Sequence, residues 1–145
     1  MRRIELPYAK SLANRVMLLR ALRGESLPLA DSLWNDDMHA MLRVLKAPVG
    51  PDGVRRADAG PAGTAYRFGM AYWAAQPGAE VVLCGDARMR ERPITPLVEA
   101  LRRLGASLDP VPEGWRIRGA EWPSGEVEVD ARESSQFASA LVLVA

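Results

Sequence analysis

This sequence has one cysteine, one histidine and almost no net charge, and each of these features excludes some classes of function. The single cysteine, Cys84, excludes an intrachain disulfide and indicates neither a thiolate metal site nor an oxidising compartment. The single histidine, His39, has no metal-ligand partner at a useful spacing, so we interpret it as a structural or exposed residue. Nineteen Lys and Arg oppose eighteen Asp and Glu, and the net charge of +1 provides no overall field that would attract nucleic acid or an anionic membrane.

Long apolar runs and nucleotide-binding motifs are also missing. No window approaches the roughly 18 consecutive apolar residues that a membrane span requires, and the N-terminus, which starts with an apparent strand, lacks the apolar core of a signal peptide. Neither a P-loop nor a Gly-x-Gly-x-x-Gly fingerprint occurs. We therefore expect a cytoplasmic protein that needs no metal or other cofactor and binds neither membrane nor nucleic acid.

What the sequence does contain is the pattern of one mixed α/β domain. Its 145 residues, 48% apolar and 26% charged, are typical of a soluble globular protein with a real core. Short strand-like runs alternate with helical patterns of about three turns. Helices are predicted to begin at Ser11, at Asn35 or Asp36, at Thr64, at Thr95 as an N-cap and at Ser134, and strands are predicted at Glu80–Cys84, Trp115–Arg118 and Glu126–Asp130.

Two of these elements carry a definite packing prediction. The first helix places Leu12, Val16 and Leu19 at helical spacing, which predicts one buried stripe. The strands at 115–118 and 126–130 alternate polar and apolar residues and are separated by Pro and Gly, which predicts an antiparallel pair.

The last helical pattern, Ser134–Ala145, stops without a cap, a glycine or a polar tail. A natural domain rarely ends within a helix. We therefore expect the sequence to be one part of a longer protein.

Three of the predicted helices begin with small or polar residues. These starts are Lys10 and Ser11 with Arg15, Gly63 and Thr64 with Arg67, and Ser134, Ser135 and Gln136. The free N–H groups and partial positive charge of a helix N-terminus attract anions, and small residues let an anion approach the backbone. The pattern favours a ligand with several negative charges, while the alternative is that Ser11, Thr64 and Ser134 are ordinary N-caps.

The segment GDARMRERP, residues 85–93, places three arginines in a loop between a predicted strand and a predicted helix. Arg88, Arg90 and Arg92 repel one another unless an anion or a neighbouring carboxylate compensates their charge, and a guanidinium can bind a carboxylate through two parallel hydrogen bonds. Loops in this position often carry function. The segment therefore indicates either an anion site or a solvated basic loop.

Four strings resemble, in order and spacing, successive motifs of the 3-phosphoshikimate 1-carboxyvinyltransferase (EPSP synthase) family. They are AKSLANRVMLLRAL, AGTAYRF, GDARMRERPITPLVEALRRLGA and SSQFASALVLVA. The sister family that transfers enolpyruvate to UDP-N-acetylglucosamine typically has a cysteine-bearing loop where this chain has GDARMRERP, which favours the shikimate branch. The chain departs from the usual motifs at Pro61, where Asn is common, and at Tyr8 and Ala9, where Gly-Ser is common.

This resemblance implies two anionic substrates and the residues that bind them. Shikimate 3-phosphate would be bound by Lys10, Ser11, Arg15, Ser134, Ser135 and Gln136. Phosphoenolpyruvate would be bound by Lys10, Gly63, Arg88 and Gln136, and glyphosate would compete with it there. Arg67 and Asp37 match positions that we interpret as supporting structure.

The resemblance also implies a reaction and a fold. The enolpyruvyl group of phosphoenolpyruvate would be transferred to the 5-hydroxyl of shikimate 3-phosphate, with release of phosphate, in the shikimate pathway of aromatic amino acid biosynthesis. The implied fold is a two-domain inside-out α/β barrel of repeated βαβαββ units. Residues 1–145 would be one partial domain, with about two units and the opening helix of a third. The family takes its general acid and base from later segments, so no catalytic residue is expected within these 145 residues.

Two interpretations of the function remain open. The chain represents the transferase, of which these residues alone are expected to be an inactive part, or it acts alone as a non-catalytic, anion-binding or regulatory module. We expect the full-length enzyme to be monomeric, and we expect the part alone to be marginally stable or to self-associate because its apolar surface lacks a neighbour. A reading frame that continues beyond Ala145 with the remaining family motifs would favour the enzyme.

Overall fold

Helices and strands are mixed along the chain, as the sequence predicts. The computed structural model describes residues 8–27 and 34–145, and the strand expected at the N-terminus lies outside them. The elements are α1 (Lys10–Leu22), α2 (Asp36–Leu45), β1 (Arg55–Asp58), α3 (Gly63–Ala74), β2 (Glu80–Cys84), α4 (Ala87–Glu91), α5 (Thr95–Arg103), β3 (Ser107–Val111), β4 (Gly114–Arg118) and α6 (Ser135–Val144). In the ranges that are described, no helix combines the length and the apolar character needed to cross a membrane.

The four strands form one sheet in the order β1-β2-β4-β3. β1 and β2 are parallel and α3 connects them, because parallel neighbours need a crossover. β4 is antiparallel to both β2 and β3. From β1 to β4 the chain therefore traces one complete βαβαββ unit, with the short α4 as an additional turn before α5. The count of about two units in a partial domain stays a prediction.

The predicted pairing of residues 115–118 with residues 126–130 is wrong. β4 lies between β2 and β3, and all five of its residues are in register with both neighbours, so it has no free edge for another strand. Residues 126–130 are irregular. Their alternation instead reflects packing, because Val127 and Val129 are partly buried against the core.

The buried stripe predicted for α1 is also wrong. Leu12, Val16 and Leu19 are 64%, 45% and 43% exposed, and the buried residues of the helix include Met17 and Leu18. α1 packs on α2, α3 and α6 through this neighbouring face. Helical periodicity identified an apolar face, but the position of the other helices decided which face is covered.

The other predicted helices agree closely with their sequence signals, whereas the loop expected over residues 85–93 contains the short helix α4, whose N-cap Asp86 accepts from the N–H of Met89. Asn35 caps α2, since its side-chain Oδ1 accepts a hydrogen bond from the N–H of Met38 at 3.2 Å. α5 begins at Thr95 itself and Ile94 occupies its N-cap position, one residue earlier than predicted, a difference that is common at helix ends. The core lies between the helices and the sheet, where the inward residues of the strands, such as Leu83 and Ile117, are fully buried.

Candidate anion-binding site

A cavity of about 720 Å³ lies where the starts of three helices come together. It is lined by the first residue of α1, one face of α2 from its first to its last turn, the residues just before α3 and the residue after α4. These lining residues are Lys10, Asp36, Asp37, His39, Ala40, Arg43, Pro61, Ala62 and Arg92. The lining contains one lysine and two arginines against two carboxylates, so the cavity has an excess of positive charge.

Two of the helices at this cavity begin without a side-chain cap. Ala9 and Ala62 occupy the N-cap positions of α1 and α3, and neither has a side chain that can accept a hydrogen bond. Within residues 8–27 and 34–145, the first N–H groups of both helices therefore lack a side-chain acceptor, and they lie at the positive end of the helix dipole. An anion can bind to such a terminus.

The alternative interpretation is that Ser11, Thr64 and Ser134 are ordinary N-caps. It holds for one of the three. Ser134 caps α6, since its Oγ accepts from the N–H of Gln136 at 3.2 Å. Ser11 lies inside α1 and its Oγ accepts from Arg15. Thr64 lies inside α3 and its Oγ1 accepts from the side chain of Gln136. The hydroxyls of Ser11 and Thr64 thus accept hydrogen bonds from the side chains of the candidate residues Arg15 and Gln136.

Lys10 and Asp37 connect the starts of α1 and α2. The Nζ atom of Lys10 lies 3.3 Å from Oδ2 of Asp37, and the lysine side chain is 64% exposed while that of Asp37 is 25% exposed. A surface ion pair of this kind is weak, so an incoming anion can compete for the ammonium group. Asp37 therefore lies beside Lys10 at the cavity, and its supporting role stays a prediction.

Arg15 and Ser11 form a second small cluster on α1. The Nη1 atom of Arg15 donates to the carbonyl oxygen of Ser11 at 2.9 Å and also to its hydroxyl. The guanidinium stacks on the ring of Phe68, 5.3 Å from the ring centroid, which ties α1 to α3. The spacing of four residues thus places both side chains together, as predicted.

Gly63 lies beside two guanidinium groups. A Cβ atom at this position would be 2.9 Å from Nη1 of Arg67 and 3.1 Å from Nη1 of Arg92. Arg67 is 8% exposed, and its Nε atom has no hydrogen-bond partner in the described part of the chain. Burial, and secondarily the charge of Arg92, lowers the pKa of Arg67.

Gln136 connects the starts of α3 and α6. Its Oε1 accepts from Nη1 of Arg67 at 3.0 Å, and its Nε2 donates to Oγ1 of Thr64 at 3.1 Å. The guanidinium of Arg67 also stacks on the ring of Phe137, 5.4 Å from its centroid. This network fixes the rotamer of Gln136. Arg67, which contacts Gln136, also lies beside Gly63 and so connects the two positions.

The three arginines of the segment GDARMRERP extend to three different places. Arg88 is exposed on α4 and does not belong to the residues that line the cavity. Arg90 donates to the carbonyl oxygen of Pro112 at 2.7 Å. Arg92 lines the cavity, although the sequence interpretation assigned it no substrate and only counted it among three arginines of a possible anion site. The available signal was Pro93, because a residue before proline is held in extended backbone, and Arg92 indeed leaves the helix at φ −73° and ψ 141°.

Ser135, His39 and Cys84 have different surroundings, and the cavity lining includes His39 but neither of the other two. Ser135 is exposed at the first position of α6. His39 packs beside Trp34 with ring centroids 5.5 Å apart. Cys84 is half-buried at the end of β2, and burial, with a contribution from nearby Asp58, raises the pKa of its thiol. In residues 8–27 and 34–145, no three His, Cys, Asp or Glu side chains are grouped as metal ligands.

Comparison with known proteins adds an independent line of evidence. The family model described as EPSP synthase (3-phosphoshikimate 1-carboxyvinyltransferase) matches residues 51–145. A protein of that name from Bacteroides fragilis is 38% identical over 148 residues, with 97% of this chain and 34% of the relative covered. One from Citrobacter koseri is 37% identical over 167 residues, with 98% of this chain and 39% of the relative covered.

Solved structures show the same fold. An EPSP synthase from Acinetobacter baumannii superimposes with a TM-score of 0.69 at 22% identity, covering 97% of this chain and 37% of that chain. A second structure from the same organism, at 2.37 Å, gives 0.66 at 20% identity. The chain spans about a third of the length of the curated relatives that it matches. A family model that covers residues 51–145, together with these relatives, shows that the chain belongs to the EPSP synthase family.

Proposed function

We propose that the protein transfers the enolpyruvyl group of phosphoenolpyruvate to the 5-hydroxyl of shikimate 3-phosphate and releases phosphate. The observation that carries this proposal is the positively charged cavity between the uncapped starts of α1 and α3, in a chain of the EPSP synthase family. Both substrates carry a phosphate and a carboxylate. Helix termini and fixed cations are the groups that bind such anions.

Shikimate 3-phosphate is proposed to bind at the starts of α1 and α6, through Lys10, Ser11, Arg15, Ser134, Ser135 and Gln136. The contact between Arg15 and Ser11 and the packing of α1 against α6 support this assignment. Phosphoenolpyruvate is proposed to bind through Lys10, Gly63, Arg88 and Gln136. The position of Gly63 beside the cavity-lining Arg92, and its link to Gln136 through Arg67, supports the second assignment.

The proposed contribution of residues 1–145 is electrostatic. Protonation of the methylene carbon, attack by the 5-hydroxyl and loss of phosphate need a general acid and a general base, which we place outside these residues. Fixed cations and helix termini hold the two anions and stabilise charge without reorganising during the reaction. We therefore propose no catalytic residue within the 145 residues.

The cellular setting is proposed from the same family membership. We infer a cytoplasmic enzyme of the shikimate pathway that is monomeric at full length and uses no cofactor. The proposed domain organisation is a partial domain of βαβαββ units, of which β1 to β4 form one complete example.

The test is a phosphate-release assay on the protein encoded by the complete reading frame. We expect phosphate to be released when phosphoenolpyruvate and shikimate 3-phosphate are both present, and not when either is omitted. A parallel reaction with UDP-N-acetylglucosamine in place of shikimate 3-phosphate tests the sister branch. Release only in that reaction would contradict the proposal, and tight binding of both substrates without turnover would favour a non-catalytic module.

A further inference from the structure

Two guanidinium groups converge on the same face of Gly63. Nη1 of Arg67 and Nη1 of Arg92 lie 2.9 and 3.1 Å from the position that a Cβ atom would take there. They come from different elements, since Arg67 is on α3 and Arg92 follows α4. Because Gly63 has no side chain, both guanidinium groups lie next to the space that a Cβ atom would occupy.

Among the residues that the structure describes, the two guanidinium groups have no carboxylate partner. In the described ranges no ion pair includes Arg67 or Arg92, although eight other pairs are formed. Arg67 is more than nine-tenths buried and its side-chain partner is the neutral amide of Gln136. Two like charges held this closely repel each other, and a bound anion removes that repulsion.

Arg92 differs from the other two arginines of its segment in lining the cavity. The side chain of Arg90 is bound to the carbonyl of Pro112, and Arg88 does not line the cavity, whereas Arg92 shares the cavity with Lys10. Pro93 disfavours helical backbone at Arg92, which leaves the helix with extended dihedrals, so Arg92 does not continue the helical spacing of Arg88 and Arg90.

We propose that Arg92 is a further phosphoenolpyruvate-binding residue, whose guanidinium binds an oxyanion of that substrate in front of Gly63. This inference rests on the proposed function and adds a contact to it. Arg67 acts beside it as a positioning residue, because it holds Gln136 and adds positive charge behind the bound oxygen. The planar fork of Arg92 suits either the carboxylate or the phosphate group.

The first test uses Arg92→Gln, Arg92→Lys and the matched control Arg90→Gln in the full-length protein. Calorimetry would measure phosphoenolpyruvate binding in the presence of shikimate 3-phosphate, and steady-state kinetics would measure KM and kcat. We expect Arg92→Gln to weaken phosphoenolpyruvate binding by about 10- to 100-fold, the effect of losing one charge-assisted hydrogen bond. Arg92→Lys should recover part of that loss, since it keeps the charge but not the fork. The affinity of the Arg92 variants for shikimate 3-phosphate should equal that of the parent. The Arg90→Gln variant should have the parent's affinity for both substrates.

The second test needs no substitution and therefore does not depend on how a variant folds. Phenylglyoxal modifies accessible arginines, and mass spectrometry reports which ones react. We expect phosphoenolpyruvate with shikimate 3-phosphate to protect Arg92 but not Arg90, and shikimate 3-phosphate alone to leave Arg92 reactive.

The outcomes separate this inference from the function on which it rests. If the parent releases phosphate but Arg92→Gln binds phosphoenolpyruvate like the parent, the inference is wrong and the function stands. Protection of Arg92 by shikimate 3-phosphate alone would assign the contact to the other substrate and overturn it as well. If the parent binds neither compound, both the function and the inference are wrong.

Discussion

At the scale of single residues, the missing side chain of Gly63 controls how closely two cations approach the backbone. A methyl group here would meet Nη1 of Arg67 at 2.9 Å and Nη1 of Arg92 at 3.1 Å, so both guanidinium groups must move. We expect Gly63→Ala to raise the KM for phosphoenolpyruvate about tenfold, equivalent to about 1.4 kcal/mol, and to weaken inhibition by glyphosate. Steady-state kinetics of the full-length variant with and without glyphosate provide the measurement.

Shikimate 3-phosphate binding is the internal control for this variant, because the cluster of Ser11 and Arg15 is built on a different helix. It should change by much less than the KM for phosphoenolpyruvate, because Gln136 is the one proposed contact that a displaced Arg67 disturbs. If KM and glyphosate inhibition are both unchanged in a folded Gly63→Ala protein, close approach at Gly63 has no role in binding.

Arg15 is the residue whose removal should affect the other substrate. We expect Arg15→Ala to weaken shikimate 3-phosphate binding by about one to two decades, because one charge-assisted bond contributes roughly 1.5–3 kcal/mol. Calorimetry on the full-length protein measures this. Arg20→Ala is a matched control on the same helix, since Arg20 is paired with Glu25 at 3.6 Å near the opposite end. Equal affinity of the two variants would contradict the assignment.

At the scale of elements, Gln136 is the polar link between α3 and α6. Its amide accepts from Arg67 and donates to Thr64, so replacing it breaks two inter-helix hydrogen bonds and leaves a buried guanidinium with fewer partners. We expect Gln136→Ala to lower the free energy of unfolding by about 1–3 kcal/mol. Urea unfolding followed by circular dichroism measures it.

Val142→Ala is the control on the same helix, because that side chain is 77% exposed. Its unfolding curve should nearly coincide with that of the parent. Equal stability of the Gln136 variant and the parent would show that the link between the two helices contributes nothing to folding.

The contact between β2 and β4 depends on Gly114. A Cβ atom there would lie 2.1 Å from the carbonyl oxygen of Leu83, which is backbone of the paired strand and cannot move aside. Its φ of 156° also disfavours a side chain, but Gly125 has nearly the same φ, 149°, in open space. We expect Gly125→Ala to cost about 1–2 kcal/mol from backbone strain alone, and Gly114→Ala to cost about 1–3 kcal/mol more.

Comparing the unfolding free energies of these two variants separates steric contact from backbone strain. Equal destabilisation would show that β4 can move away from β2, and that the packing of this sheet is more tolerant than the contact indicates.

At the scale of the whole molecule, the matched relatives are about three times longer than this chain. We expect residues 1–145 expressed alone to release no phosphate from the two substrates, because we place the acid and base outside them and loss of that assistance costs typically 10²–10⁴-fold. Water in an open site also weakens the electrostatic attraction between the arginines and the anionic substrates, because it raises the local dielectric constant.

The measurement is a phosphate-release assay on the folded 145-residue protein, with the full-length protein as the positive control. Weak shikimate 3-phosphate binding should persist, since all of its proposed contacts are within these residues. A rate within about tenfold of the full-length protein would place the catalytic groups here, since loss of general acid–base assistance alone exceeds that factor.

The sequence alone determined the local structure and the family. Asn35 before an apolar helical pattern, and the run Glu80–Cys84, predicted a capped helix and a strand that the structure contains, because caps and strand propensity act over a few residues. The four motif strings predicted the family that the comparisons show. The spacing of Ser11 and Arg15 predicted their contact, because residues four apart on a helix are neighbours.

Tertiary structure decided which surfaces meet. The pattern at 126–130 resembles a strand, but these residues do not pair with β4 because β2 and β3 pair with both of its edges. The apolar stripe beginning at Leu12 is exposed because α1 packs through another face. Nothing local in the sequence brings Arg92 next to Gly63, since 28 intervening residues, including α3 and β2, must first fold. Charge convergence between distant segments depends on the packing of whole elements, and periodicity within each segment carries no information about it.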